Sequence, residues 1–332
     1  MSRLRWGLVG GGGGAKVGPV HLQAARQTGA FELVAAAPSS RPEVAAATDW
    51  GCPTTANWRD LLTAGLDAVS IATPNHLHME MARAFDAAGV AVICDKPLAR
   101  TLAEIEGWTP ANPFVVTYNY SAYPAVRRAR DLLAVGALGD LQLVRIGWAQ
   151  DGRLKPGAAE GWRADPARSG PGGTLGDLGT HCIHLAEFVT GDRVRELNAE
   201  VSGFHLPLPT DATLLWRFAG GARGSLWVSQ VVPGGGKGLE LLIAGTKATL
   251  RWRLAAPDDL QLLSVGESAD PLPALPPEAW QAGFTDAFAA LYTDAARTIR
   301  GEPSLAPTYA DGVRGMHFIE AAIRSNGAWV GL

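Results

Sequence analysis

Leu4-Arg5-Trp6-Gly7-Leu8-Val9-Gly10-Gly11-Gly12-Gly13-Gly14-Ala15-Lys16-Val17-Gly18, followed by Val20–Thr28, is the stretch whose reading decides the fold. A short apolar run stops at a glycine cluster, and apolar residues then recur at helical spacing, which is the pattern of strand, loop and helix. Glycines in that setting let backbone N–H groups approach a pyrophosphate at a helix N-terminus, so the loop predicts a dinucleotide site. The compact G-x-G-x-x-G pattern would put its third glycine where Ala15 stands, and the next glycine is Gly18. Either Ala15 serves, or the loop is longer by three residues. Gly10, Gly12, Gly13, Gly14, Ala15, Val17 and Gly18 are the candidate cofactor contacts here.

Outward from the loop, strand and helix patterns alternate: strands at Phe31–Ala37, Ala68–Ala72, Val90–Cys94 and Phe114–Tyr118, helices at Pro42–Ala47 and Met79–Ala88, and a further helix after a Thr101–Glu104 capping box. Such alternation means parallel strands joined by right-handed crossovers, with ligands at the carboxyl ends of the strands. Thr73, Pro74, Asn75 and His78 close one such end, and Asp95 and Lys96 another. From about residue 121 the pattern changes. Helices at Tyr123–Val135 and Gly173–Val189 accompany strands at Leu141–Gln150, Glu196–Phe204, Ala212–Phe218, Ala222–Val231, Leu239–Ala244 and Ala248–Leu254, with short turns that imply an antiparallel sheet. Helices at Trp280–Ile299 and Asp311–Asn326 end the chain. The expected fold is therefore α/β: residues 1–120 a dinucleotide-binding domain, residues 121–332 an α+β domain with an open, largely antiparallel sheet for substrate and oligomerisation, whose last helices are free to pack back on the first.

The 332 residues suit two domains. A net charge of −3 gives no field for a polyanion, so nucleic acid is not an expected partner. No apolar run reaches membrane-spanning length, and the strand beginning at Leu4 leaves no room for a signal peptide, so the expectation is a cytoplasmic protein. Cys52, Cys94 and Cys182 lack metal-ligand spacing and read as small core residues, and no metal is expected.

Nicotinamide chemistry assigns the remaining groups. An acidic residue at the end of the second strand would hold the ribose hydroxyls of NAD; the segment here is Ala37-Pro38-Ser39-Ser40-Arg41, whose hydroxyls and guanidinium lean toward the 2′-phosphate of NADP. Hydride transfer from a secondary alcohol needs a base for the hydroxyl proton and a positive group for the developing alkoxide. Lys96, held extended before Pro97, suits the second role. Asp177 and His181 share a helix face at i and i+4; His181 is the candidate general base or acid, with Asp177 binding a hydroxyl or tuning the proton transfer. Tyr118, Asn119 and Tyr123 are candidates for a sugar site, with core packing as the alternative.

The glycine loop, Ala72-Thr73-Pro74-Asn75-His76-Leu77-His78, Asp95-Lys96-Pro97, Trp162-Arg163 and Gly172-Gly173-Thr174-Leu175-Gly176-Asp177-Leu178-Gly179-Thr180-His181, in this order, resemble the glucose-fructose oxidoreductase / inositol dehydrogenase / rhizopine-catabolism (Gfo/Idh/MocA) family. The resemblance spans essentially the whole chain. It implies an N-terminal Rossmann domain, a nicotinamide cofactor, a sugar or cyclic polyol as substrate, and a homodimer or homotetramer formed through the open sheet. It also implies that Trp162 covers the nicotinamide or a pyranose face and that Arg163 meets substrate or cofactor phosphate. Two positions depart from the family: Asp95 stands where Glu is usual, and His184 where an acidic residue is common. Two other functions fit the same residues, a non-catalytic nicotinamide-binding regulator and an NAD-dependent, redox-neutral glycoside hydrolase. Intact Lys96 and His181 argue against the regulator.

Overall fold

The computed structural model describes residues 2–158, 160–267 and 283–332. These residues divide into two compact units, one formed by residues 1–119 and 285–313, the other by 120–284 and 314–332. The second crossing places most of the helix Phe284–Ile299 with the first unit, whereas most of the helix Tyr309–Ser325 goes with the second.

In the first unit, strands β1 (Leu4–Gly10), β2 (Phe31–Ala37), β3 (Ala68–Ala72), β4 (Ala91–Cys94) and β5 (Phe114–Val116) form a parallel sheet in the order β2-β1-β3-β4-β5. Every residue of β3 and β4 is buried, as expected for parallel strands covered on both faces. The order runs one way from β1 to β2 and the other way from β1 to β3, so the crevice at this switch point opens at the carboxyl end of β1, where the glycine loop begins. Trp6 meets Phe31 and Tyr292 edge-on in the core, with ring centroids 6.2 and 5.8 Å apart.

The predicted helix after Pro97 is only a single tight turn, Leu102–Glu104. Thr101 makes no capping bond; the Glu104 carboxylate turns instead to Arg100, accepting from its backbone N–H at 3.0 Å and from its guanidinium. A stronger charge-assisted partner within four residues thus displaces the capping box. The strand predicted over Phe114–Tyr118 ends at Val116 because the chain turns at Tyr118 and Asn119, whose N–H groups bond to Val116 and Thr117 two residues back.

In the second unit, β6 (Leu141–Gln150), β7 (Val194–Ser202), β8 (Asp211–Phe218), β9 (Arg223–Ser229), β10 (Lys237–Gly245), β11 (Ala248–Arg253), β12 (Ala256–Ser264) and β13 (Trp329–Gly331) form a sheet in the order β12-β11-β10-β6-β9-β8-β7-β13. Its pairs are antiparallel except β6 with β9. The alternating burial of β8 puts Ala212, Leu214, Trp216 and Phe218 inward and leaves the other face open. β12 and β13 escape the sequence reading: Pro257 and a pair of aspartates break the first, and the second has three residues. The helix predicted from Trp280 begins at Phe284, and Trp280 lies outside the described residues.

The helix predicted over Gly173–Val189 is two segments. Leu175–Gly179 is a π turn, closed by the Thr180 N–H bonding five residues back to the Leu175 carbonyl, and the α-helix Thr180–Thr190 continues from it. Buried Glu187 anchors this helix, accepting from Arg314 at 2.7 Å, Arg193 at 2.5 Å and the Val194 N–H at 3.0 Å.

Candidate active site

In the first unit the candidate residues are set by backbone. Gly10 and Gly11 take positive φ, 84° and 77°, a region costly for any residue with a Cβ. A Cβ on Gly11 would stand 2.4 Å from the Gly18 Cα, so these two glycines let the loop and the helix Val17–Thr28 touch. The close contact of Gly11 and Gly18 is the kind that the third glycine of the fingerprint serves, and Ala15 lies exposed on the loop between them. A Cβ on Gly14 would meet nothing within 4 Å, an open cradle of backbone suited to a pyrophosphate. The Gly12 N–H is tied to the Pro38 carbonyl at 2.9 Å, which brings the end of β2 against the loop. There Ser39 Oγ accepts from the Arg41 N–H at 3.1 Å, and the Arg41 guanidinium stands 3.1 Å from where a Cβ on Gly13 would be. These residues fit a dinucleotide.

The ends of β3 and β4 are pinned to each other by His78. This fully buried ring places Nδ1 3.0 Å from the Pro97 carbonyl and Nε2 2.9 Å from the Thr73 carbonyl. Burial pushes its pKa below the ordinary value, against the pull of Asp95 and of the two carbonyls. Both ring nitrogens face backbone carbonyls, so what His78 offers a cofactor is the position of the two loops. Asn75 is buried as well. Between them, Lys96 follows Asp95, whose Oδ1 accepts from the Thr117 hydroxyl at 2.7 Å and lies 3.0 Å from His21 Nε2. Burial would raise the Asp95 pKa, but the His21 ring and the Thr117 hydroxyl outweigh it and hold the carboxyl below its ordinary value.

The second unit contains a cavity of about 290 Å³ lined by Arg153, Glu160, Trp162, Arg163, Asp177 and Gln230 among others. The sequence reading placed Trp162, Arg163 and Asp177 at the site, and the cavity brings all three together. It missed Arg153 and Gln230. Gln230 Nε2 donates to Asp177 Oδ2 at 2.8 Å, fixing that carboxylate, and Arg153 donates to the carbonyls of Ala158 and Arg163 at 3.2 and 3.0 Å, holding the wall. Burial lowers the Arg153 pKa, while nearby Asp177 opposes that shift. The Arg163 guanidinium sits 4.4 Å from the Trp162 ring centroid.

His181, one turn beyond Asp177, is 5% exposed and is not among the residues lining this cavity. Its ring stands edge-on to Tyr120 at 4.7 Å and tilted to Trp148 at 5.9 Å. Three substrate candidates are packed away from solvent: Tyr118, Asn119 and Tyr123 are each at most 2% exposed. Tyr123 stacks on Tyr120 at 6.1 Å and tilts against Trp252 at 5.5 Å, which is the core-packing alternative. His184 bonds Ser121 at 3.2 Å and packs on Phe188, and it too is absent from the cavity lining.

Residues 4–109 match the family described as "Oxidoreductase family, NAD-binding Rossmann fold", and residues 126–251 match the "GFO/IDH/MocA C-terminal domain". The chain belongs to the Gfo/Idh/MocA oxidoreductases. The uncharacterised oxidoreductase YfiI of Bacillus subtilis (strain 168) is 32% identical over 81% of this chain and 75% of its own. Levoglucosan dehydrogenase of Pseudarthrobacter phenanthrenivorans is 30% identical over 81% of this chain and 78% of its own. Among solved structures, an inositol dehydrogenase homologue from Azotobacter vinelandii, complexed with NADH and myo-inositol, superposes with a TM-score of 0.86 at 29% identity, covering 100% of this chain and 98% of that one. The chain is thus an NAD-binding oxidoreductase with sugar and polyol dehydrogenases among its relatives.

Proposed function

We propose that this enzyme oxidises a secondary alcohol of a sugar or cyclic polyol, or reduces the corresponding ketone. The observation that carries the reading is the second unit's polar cavity, where an oriented carboxylate, two guanidinium groups and an indole face are gathered in a space suited to a small polyhydroxylated ring. The nicotinamide, when bound, supplies the hydride acceptor or donor. Lys96 holds its ammonium toward the developing alkoxide, and His181 takes the hydroxyl proton in oxidation and returns it in reduction. Asp177, oriented by Gln230, accepts a hydrogen bond from a substrate hydroxyl. Trp162 covers an apolar ring face, and Arg163 adds a charged rim.

The finer reading of the cofactor is NADP. It rests on the absence of a carboxylate over Ala37–Arg41 and on the Arg41 guanidinium beside the glycine loop. Dissociation constants for NADP and NAD, measured on wild type and Arg41→Ala, should show NADP tighter and the preference lost in the variant; equal constants in wild type overturn it.

The active species is a homodimer or homotetramer. Leu143, Leu215, Trp227 and Trp329, between 39% and 52% exposed, share the open face of the sheet through the pairings of β6, β9, β8, β7 and β13. Light scattering on Leu215→Arg should read a smaller particle than wild type. The cysteines are free, which suits a reducing, cytoplasmic setting.

Nicotinamide absorbance, followed on mixing the protein with inositols, aldoses and anhydro-sugars plus NAD or NADP, tests the main reading. A substrate-dependent rise supports it. No change with any compound, despite measured cofactor binding, moves the assignment to a regulator or a redox-neutral hydrolase.

A further inference from the structure

Behind Asp95 the first unit carries a chain of polar side chains drawn from separate segments: Trp6 on β1, Ser70 on β3, Tyr292 on the helix Phe284–Ile299, and His21 on the helix Val17–Thr28. Trp6 Nε1 lies 2.9 Å from Ser70 Oγ, Ser70 Oγ 2.6 Å from Tyr292 Oη, Tyr292 Oη 2.6 Å from His21 Nδ1, and His21 Nε2 3.0 Å from Asp95 Oδ1. Trp6, Ser70, Tyr292 and His21 are at most 1% exposed.

An indole N–H only donates, and an ionised carboxylate only accepts. Trp6 therefore donates to Ser70 and His21 Nε2–H to Asp95, while the two inner links join hydroxyls and a ring nitrogen that can each give or take a proton. A fully satisfied buried network of this kind specifies one arrangement, and a broken one is costly.

We propose that His21 is a positioning residue for Lys96. Tyr292, seated on Ser70, holds one side of its ring, so that Nε2–H on the other holds the Asp95 carboxylate and with it the turn Asp95–Pro97 from which Lys96 extends. The Thr117 hydroxyl, 2.7 Å from the same oxygen, is the second clamp. His21 is itself fully buried and acts through Asp95, in the manner of outer residues that orient a working group. The inference rests on the proposed role of Lys96 in hydride transfer.

Two measurements test it separately. The ring nitrogens of His21, read by 15N NMR at neutral pH without substrate, should show Nε2 protonated. A bare Nε2 in wild type overturns the proposal. In turnover, His21→Leu should lower kcat by roughly 10–100-fold with the cofactor Kd within about twofold, while His21→Gln, whose amide still donates toward Asp95, recovers most of the loss. Unchanged kcat in His21→Leu overturns it, as does an equal loss in both variants with cofactor binding gone. Should His21→Leu not fold, Tyr292→Phe supplies the kinetic arm, with a loss of kcat at constant Kd expected. If wild type turns over no sugar or polyol, the proposed function fails, and the nitrogen shifts alone decide the chain.

Discussion

The two units build their working surfaces by different means. In the first, the candidate positions are ends of parallel strands, and the contacts that set them are backbone: Gly11 against Gly18, the Gly12 N–H on the Pro38 carbonyl, and His78 between the carbonyls of Thr73 and Pro97. In the second, side chains far apart in sequence converge on one cavity, with Gln230 reaching back 53 positions to hold Asp177. A surface made of backbone tolerates few substitutions but many partners. One made of converging side chains can change its ligand by exchanging a single residue.

Substitutions in each unit sharpen the contrast. Lys96→Met should lower kcat by about 10³-fold or more while leaving the cofactor Kd unchanged in a fluorescence titration, since one charged group facing an alkoxide contributes that order of rate. Gly11→Val, whose side chain meets the helix start at a positive φ, should instead weaken cofactor binding about 100-fold or more, read in the same titration. In the second unit, Glu187→Leu leaves two arginines without their buried carboxylate and should lower stability by about 3–5 kcal/mol in denaturant unfolding. Gln230→Leu removes the amide bond that orients the Asp177 carboxylate and should reduce kcat about tenfold, with the cofactor Kd untouched. That split would confirm that the second unit's contribution is made by side chains alone.

The smallest effect concerns acid. The Asp95 carboxyl titrates below its ordinary value of 3.8 when folded, so its stabilising contribution is present above that value and fades as pH falls through the lower folded one. His21→Leu removes one cause of the shift and should shrink the pH dependence of stability in this acid range, measured by chemical unfolding at successive pH values.

The same contrast explains what could be read from sequence. The strand–loop–helix at Leu4–Thr28, the strand ends at Thr73 and Asp95, and the β6 boundaries are local patterns, and the structure reproduces them closely. The glycine loop leaves Ala15 and Gly18 open as alternatives, because the packing of Gly11 against Gly18 is invisible in the local pattern. The π turn at Leu175–Gly179 is not visible in periodicity, since five residues are too few to reveal a change of pitch. Arg153 and Gln230 have no motif to mark them; they join the candidate site through the Gln230–Asp177 bond and the cavity wall, which only the assembled fold creates. Tyr118 and Tyr123 illustrate the reverse: polar-tipped rings at a domain boundary suggest a sugar site, yet both are buried in the core. His21, paired with a tyrosine 271 positions away, was silent for the same reason.

The central claim is that a hydride passes between this enzyme's nicotinamide and a ring carbon of a sugar or polyol. A substrate deuterated at the carbon bearing the reactive hydroxyl, once one is found in the absorbance screen, tests this directly by mass spectrometry of the reduced cofactor. The account predicts that one deuterium is carried to the nicotinamide in each turnover. Deuterium released to water, or product formed with no net cofactor reduction, would contradict it.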